Sequence, residues 1–87
     1  MKYIILQKIN HEWLPSETDS DEQGNESIAT YESLHEAQIE LAYHLDAIQR
    51  AVRLGDMVEN DAELPENYKI VPYISEVHDA QWEAIGG

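Results

Sequence analysis

The first apolar run of the chain, "KYIILQKI" at positions 2 to 9, mixes β-branched, aliphatic and aromatic residues with polar ones. This composition is typical of a β-strand, and the two-residue period places apolar side chains on both of its faces. Such a strand is expected in the middle of a sheet that is covered from two sides. Asn10 and His11 then predict a turn, and residues 12 to 14 predict a short returning strand that Pro15 ends.

Two later segments also have the composition of strands. Residues 27 to 32, "SIATYE", are expected to form one strand, and residues 68 to 74, "YKIVPYI", are expected to form another. Pro72 has no backbone N–H to donate, so it should lie at an edge, at a bulge or at the end of its strand. The polar stretch before residue 27 should cross the surface, with Gly24 and Asn25 at its turn.

The longest periodic pattern predicts a helix over about residues 33–54. Ser33 followed by Glu36 is a capping box, in which Glu36 is expected to reach back to the amide of Ser33. Gly55 suits the left-handed residue that commonly follows a helix. At about 100° per residue, six apolar positions fall within roughly 80° of one another and form a core stripe. The stripe consists of Leu34, Ala37, Leu41, Leu45, Ile48 and Val52.

A second apolar stripe, formed by Ile39, Tyr43, Ala47 and Leu54, lies on nearly the opposite side of this helix. A helix that packs only on one sheet does not need a second stripe. The C-terminal segment, a second copy of the chain or another protein would each explain it, although single apolar residues are also common on surfaces. Ile39, Tyr43 and Leu54 are the candidate residues for an apolar partner or dimer contact.

These elements predict a single α+β domain over residues 1–87, because a chain of this length has room for one core. The sheet should be small, mainly antiparallel and three- or four-stranded, with the long helix packed on one face. Residues 75 to 85 are a candidate short C-terminal helix with Ser75 as its cap. Its expected anchors are Val77, Trp82 and Ile85.

Charge changes this picture more than any motif does. Eighteen Asp and Glu residues against five Lys and Arg residues give a formal net charge of −13. A surface this acidic repels nucleic acids and anionic membranes, so we expect no direct binding to either and a basic protein surface as the partner. The alternative is that the acidity serves only solubility.

The acidic groups concentrate at two places that could face such a partner. Residues 16 to 27, "SETDSDEQGNES", contain five acidic residues. At the start of the helix, three glutamates recur every four residues, about 6 Å apart along the axis, which is similar to the separation of successive phosphates. The simpler interpretation is that these glutamates form a solvated face of the helix. The more specific one is that they form a phosphate-like array for a basic groove. The six candidate residues are Asp19, Asp21, Glu22, Glu32, Glu36 and Glu40.

No motif predicts a cofactor, a metal site or catalysis. Asp19, Asp21 and Gly24 match three positions of an EF-hand loop, but Thr30 stands where the bidentate glutamate is required. The four histidines lack a zinc-binding spacing and are expected at the surface or its boundary, and no serine stands in a glycine elbow. We therefore expect a non-enzymatic protein without cofactors. The absence of cysteine and a short amino-terminal apolar run favour a cytoplasmic protein.

The segment "SIATYESLHEAQIELAYHLDAI", followed by "RLGDM" and "NYKIVPYI", resembles the small β-β-α-β proteins of phage and prophage genomes. The opening "MKY" and the helix start from Thr30 to Ala37 are also similar to the HicB-type antitoxin domain, from which the acidic insertion at residues 16 to 26 departs. Some phage proteins of this size and acidity are anti-CRISPR or anti-restriction inhibitors that act as DNA mimics. The resemblance implies such a role, in the cytoplasm of the host cell.

The leading functional hypothesis is a non-catalytic inhibitor that occupies a basic, nucleic-acid-binding surface of a host protein, for example a nuclease. The alternative is a homodimeric interaction or antitoxin-like module that binds through Ile39, Tyr43 and Leu54. A third class is an accessory factor of virion assembly.

Overall fold

The structure, a computed structural model, describes residues 1–16, 18–60 and 63–84. It confirms an α+β architecture with a long and a short helix. A single turn of 3-10 helix, Pro65–Asn67, precedes the last strand. The strands and helices are β1 (Tyr3–Ile9), β2 (Glu12–Pro15), β3 (Thr18–Ser20), β4 (Glu26–Ile28), α1 (Leu34–Arg53), β5 (Tyr68–Pro72) and α2 (Ser75–Ala84).

The main sheet has three antiparallel strands in the order β2-β1-β5, so β1 lies in the centre as its two apolar faces predict. Leu6 is paired with Pro15 on one side, and Ile4 is paired with Val71 on the other. Pro72 is the last residue of the edge strand β5, where its missing N–H removes no hydrogen bond from the ladder.

The acidic stretch differs from the prediction, because it forms a separate two-stranded sheet of β3 and β4. We call residues 18 to 28 the acidic hairpin. The predicted strand over residues 27 to 32 is consequently divided: β4 ends at Ile28, and only Tyr31 reaches the main sheet. There the Tyr3 amide donates to the Tyr31 carbonyl (2.8 Å), and the Tyr31 amide donates to the Tyr3 carbonyl (2.9 Å).

Helix α1 begins and ends where the sequence predicts. The Glu36 amide donates to Ser33 Oγ (3.1 Å), which satisfies one of the unpaired amides of the first turn. The reciprocal contact differs from the prediction by one residue, because Glu36 Oε2 accepts from the Glu32 amide and not from Ser33. Gly55 has φ +79°, and the amides of Gly55 and Asp56 donate back to the last turn as in a Schellman motif.

The two helices cover opposite faces of the main sheet. Ile4 and Leu6 lie on one face of β1 in a cluster with Ile28, and Trp82 of α2 packs against this cluster. Ile5 points to the other face, where α1 lies. His44 of α1 contacts the Tyr68 hydroxyl there, at 3.2 Å. The two-sided burial of β1 is therefore explained within one chain.

The apolar positions of α1 follow the predicted core stripe with one exception. Ala37 is fully buried and the next four positions of the stripe are half-buried, whereas Leu34 is 44% exposed at the end of the helix. No helix within the described residues is both long enough and apolar enough to cross a membrane.

The predicted anchors of α2 are only partly right. Trp82 packs on the core as expected, but Val77 is half-exposed and Ile85 lies outside the described residues. His78, one turn before Trp82, faces the sheet in place of Val77 and is 5% exposed. Ser75 is the first residue of α2 and not its cap, because His78 Nδ1 accepts from the Ile74 amide (2.9 Å). The expectation of a surface or boundary histidine is thus wrong for His78.

The turn between β1 and β2 contains backbone strain that a substitution should relieve. Asn10 and His11 have φ +52° and +71°, the left-handed conformation of a two-residue type I′ hairpin. Histidine adopts it at a cost, whereas glycine does not. We expect His11→Gly to raise the free energy of unfolding by about 0.5 to 1 kcal/mol in urea titrations. His11→Ala, which keeps the strain, is the control, and an equal gain in both variants would contradict this explanation.

Candidate functional site

The acidic hairpin is exposed along nearly its whole length. Every residue from 18 to 27 is exposed, and the buried residue Ile28 follows them. Four carboxylates and no cation lie in this segment. Because the hairpin buries so little, its sequence is not constrained by packing, and its charge is free to serve another purpose. The four acidic residues are Asp19, Asp21, Glu22 and Glu26.

Asp21 gives the tip of the hairpin its shape. Its Oδ1 accepts from the amides of Gln23 (2.8 Å) and Asn25 (2.9 Å), and its Oδ2 accepts from the Asn25 side chain (3.1 Å). Gly24 completes the turn with φ +84°. The hydrogen bonds from Asn25, first from its backbone amide and then from its side chain, hold the pKa of Asp21 below its usual value. The carboxylate therefore stays charged at the tip.

The three candidate glutamates at the start of α1 are all exposed, but two of them already contact other groups of the chain. Glu36 accepts from the Glu32 amide, and the Glu32 carboxylate lies 4.0 Å from the Lys2 ammonium. Glu36 therefore has a structural role in the helix cap as well as a charge. Glu40 lies one turn further along α1 and is exposed.

The six candidate carboxylates lie on two different elements. Asp19, Asp21 and Glu22 belong to the acidic hairpin, and Glu32, Glu36 and Glu40 lie at the start of α1. The hairpin group is the denser one, since it adds Glu26 and contains no basic residue.

A third acidic row, on α2, escaped the sequence reasoning. Glu76, Asp79 and Glu83 lie within about 60° of one another around the helix. All three are exposed. Their spacing of three and four residues is visible in the sequence once α2 is accepted as a helix. Acidic groups therefore occur on the helices of both faces of the main sheet.

Asp79 is the one member of this row with a described side-chain partner. The Tyr73 hydroxyl donates to Asp79 Oδ1 (2.6 Å), and this hydrogen bond to a carboxylate raises the pKa of Tyr73. The Tyr73 ring also stacks on His78, with ring centroids 5.9 Å apart. Tyr73, His78 and Asp79 together fix the first turn of α2 on the end of β5.

The second apolar stripe of α1 remains at the surface. Ile39 is 40% exposed, Tyr43 is 69% exposed and Leu54 is 70% exposed. Helix α2 packs on the opposite face of the main sheet and does not cover these three side chains. The described part of the C-terminal segment therefore does not cover the stripe. A second copy, another protein or simple exposure at the surface remain as explanations.

His78 should make the stability of the protein sensitive to mild acid. Burial lowers the pKa of His78 below 6.5, and the neighbouring Asp79 charge only partly opposes this effect. The unfolded chain therefore binds the proton more readily than the folded one. The free energy of unfolding should be retained above about pH 6.5 and should fall as the pH decreases from there through the folded-state pKa.

Urea unfolding between about pH 7.5 and 5 tests this expectation. His78→Asn is the control, because an asparagine oxygen can still accept from the Ile74 amide but does not titrate. As the pH decreases, the free energy of unfolding of the wild type should fall, and that of the His78→Asn variant should not show the same fall. Parallel profiles would assign the decline to other groups.

The described residues do not assemble a recognisable chemical site. None of their His, Asp and Glu side chains come together in a group of three or more that could hold a metal ion. An open groove of about 380 Å³ lies between the second half of α1 and the connector before β5, lined by residues that include Val52, Arg53 and Glu59. The described side chains that line it include no hydroxyl, thiol or imidazole group. The exposed charge and the exposed α1 stripe are therefore the candidate functional features.

Comparison with known proteins adds no relative to these features. The chain matches no protein-family model, no curated protein and no solved structure.

Proposed function

We propose that this protein is a non-catalytic inhibitor of the phage anti-defence type, which binds a basic, nucleic-acid-binding surface of a host protein. The single observation that carries the proposal is the acidic hairpin. Its ten consecutive exposed residues, 18 to 27, hold four carboxylates and no cation. A defined hairpin, rather than an unstructured acidic segment, presents these charges in a fixed pattern.

Folding residues 18 to 28 into a hairpin costs conformational entropy. The few side chains that the hairpin buries do not offset this cost. An isolated two-stranded hairpin is only marginally stable in water. Here its tip is closed by the three hydrogen bonds that Asp21 accepts. If the acidity served solubility alone, an unstructured acidic loop would be sufficient. The ordered form therefore supports recognition over solubility.

The charge of the whole molecule is on the scale of a short duplex. Its longest dimension is 38 Å, and about 38 Å of duplex DNA carries roughly 22 phosphates. The chain carries 18 acidic residues. With five basic residues the net charge is −13, so a basic groove that contacts one side of the molecule would meet a charge density of the same order as that of a duplex. The resemblance to small acidic phage proteins supports the same class of partner.

The test is capture from a host lysate with duplex DNA as the competitor. The immobilised protein should retain a nucleic-acid-binding protein at about 0.05 M salt and release it well below 1 M, because the attraction between the charges is screened. Added duplex should block the capture, and the protein should inhibit any nuclease so captured. Binding that neither salt nor duplex weakens would contradict the proposal.

A second candidate function is favoured by the exposed stripe of α1. Ile39, Tyr43 and Leu54 suit a homodimeric or antitoxin-like interaction module. The two candidate functions use different surfaces, so one molecule can perform both functions. The acidic hairpin would contact the basic partner, and α1 would contact a second copy.

A further inference from the structure

We infer that two copies of this chain pair antiparallel through the exposed side of α1, about a two-fold axis that passes near the level of Leu45. This inference gives the second candidate function a partner and an orientation. It does not depend on the acidic hairpin or on any basic partner. Its evidence is the coincidence of apolar exposure, low local charge and segregated charge on one helix.

The exposed stripe of α1 belongs to an element that carries little net charge, so two copies repel each other only weakly there. Helix α1 carries three acidic residues and two arginines, a net charge of −1. The rest of the chain carries 15 acidic and three basic residues, a net charge of −12, which completes the total of −13. Two copies that approach through the acidic hairpin or through α2 bring stronger negative fields together, because these elements carry four and three acidic residues and no basic one. Ile39 and Tyr43 lie on this nearly neutral helix, and Leu54 is the residue that caps its C-terminal end.

The charges on α1 are segregated along its length. Glu36 and Glu40 lie in the first half, and Arg50 and Arg53 lie at the end. Asp46 lies between them and forms an ion pair with Arg50, so the second half of α1 carries a net charge of +1 against −2 in the first half. In a parallel pair of α1 helices, like charges would stand at the same level. In an antiparallel pair, the acidic half of one copy lies beside the basic end of the other. Charge complementarity therefore selects the antiparallel arrangement.

Side-chain size favours one register of this pair. When the axis passes level with residue 45, Tyr43 of each copy is level with Ala47 of the other, so a large ring meets a small side chain. The same symmetry places Glu40 level with Arg50 of the second copy, whose guanidinium also contacts Asp46 of its own helix. Both Tyr43 and Ala47 are exposed in the single chain. A contact between two helices is a small interface, so the dissociation constant should be roughly micromolar to tens of micromolar.

The experiment is sedimentation equilibrium of the full chain from about 1 to 500 µM, a range that brackets the expected dissociation constant. The wild type should dimerise. Glu40→Arg and Arg50→Glu should each weaken the dimer about tenfold or more, because each places like charges side by side. The double variant Glu40→Arg/Arg50→Glu reverses both charges and should restore the dimer to within about threefold of the wild type.

Two further variants separate the interface from general effects of charge. Tyr43→Glu should leave a monomer with unchanged circular dichroism. Val58→Glu, the matched control, places the same charge at an apolar residue that is 87% exposed outside α1, and should dimerise normally. A wild type that stays monomeric at the highest concentration, a double variant as weak as the single ones, or a Tyr43→Glu dimer would each overturn the inference. Failure to capture a basic partner would not affect the inference, because the dimer does not involve that partner.

Discussion

Replacing Ile4 with alanine is expected to lower the free energy of unfolding by about 3 to 4 kcal/mol, the largest loss among the stability predictions. Ile4 is 1% exposed at the centre of the main sheet, in the cluster with Leu6 and Ile28. The truncation removes buried methyl groups and leaves a cavity. The surrounding strand cannot close that cavity easily, because β1 is held by neighbours on both sides.

Ile9→Ala is the matched control for this prediction. Ile9 lies in the same strand but is 40% exposed, so the same change should cost less than about 1 kcal/mol. Urea unfolding of both variants measures the difference. For a chain of 87 residues, total stability is about 4 to 13 kcal/mol, so Ile4→Ala removes a large share of it. Equal losses in the two variants would contradict the assigned position of β1.

Features that depend on nearby residues were predictable from the sequence. The two apolar faces of β1 indicated its central place, and the cap at Ser33 and the glycine at position 55 set the ends of α1. Each signal lies within a few residues of the feature that it determines. The sequence could not show that the Glu36 carboxylate accepts from the Glu32 amide and not from the adjacent Ser33 amide.

Features that depend on distant pairing were not predictable in the same way. The acidic hairpin separated from the main sheet, because Tyr31 and not β4 occupies the place beside Tyr3. The buried side of α2 was also misjudged, since periodicity cannot show which side of a short helix faces a sheet. His78 was missed as a buried residue for that reason.

The candidate functional surfaces were predictable in their residues but not in their relation to one another. All nine residues proposed for partner contact are exposed. The sequence could not show that the acidic hairpin forms a sheet of its own, nor that α2 leaves the second apolar stripe uncovered. Both facts depend on how the elements are placed around the sheet.

The acidic hairpin should contribute most of the affinity for a basic partner. Neutralising Asp19, Glu22 and Glu26 to their amides removes three charges and leaves Asp21, whose carboxylate holds the tip. Each charge that faces a basic groove contributes roughly 0.5 to 1 kcal/mol at moderate salt. The triple variant should therefore bind about 10- to 100-fold more weakly than the wild type.

The measurement that tests the central claim compares this triple variant with a variant of equal charge. Glu59→Gln/Glu66→Gln/Glu83→Gln also changes the net charge from −13 to −10, at exposed positions outside the hairpin. Titration against the partner captured from the lysate, at about 0.1 M salt, gives the dissociation constants of both variants. The hairpin variant should bind far more weakly, and the other variant should stay within about threefold of the wild type. Equal weakening of both variants would show that only total charge matters, and no weakening of either would show that the hairpin does not contact the partner.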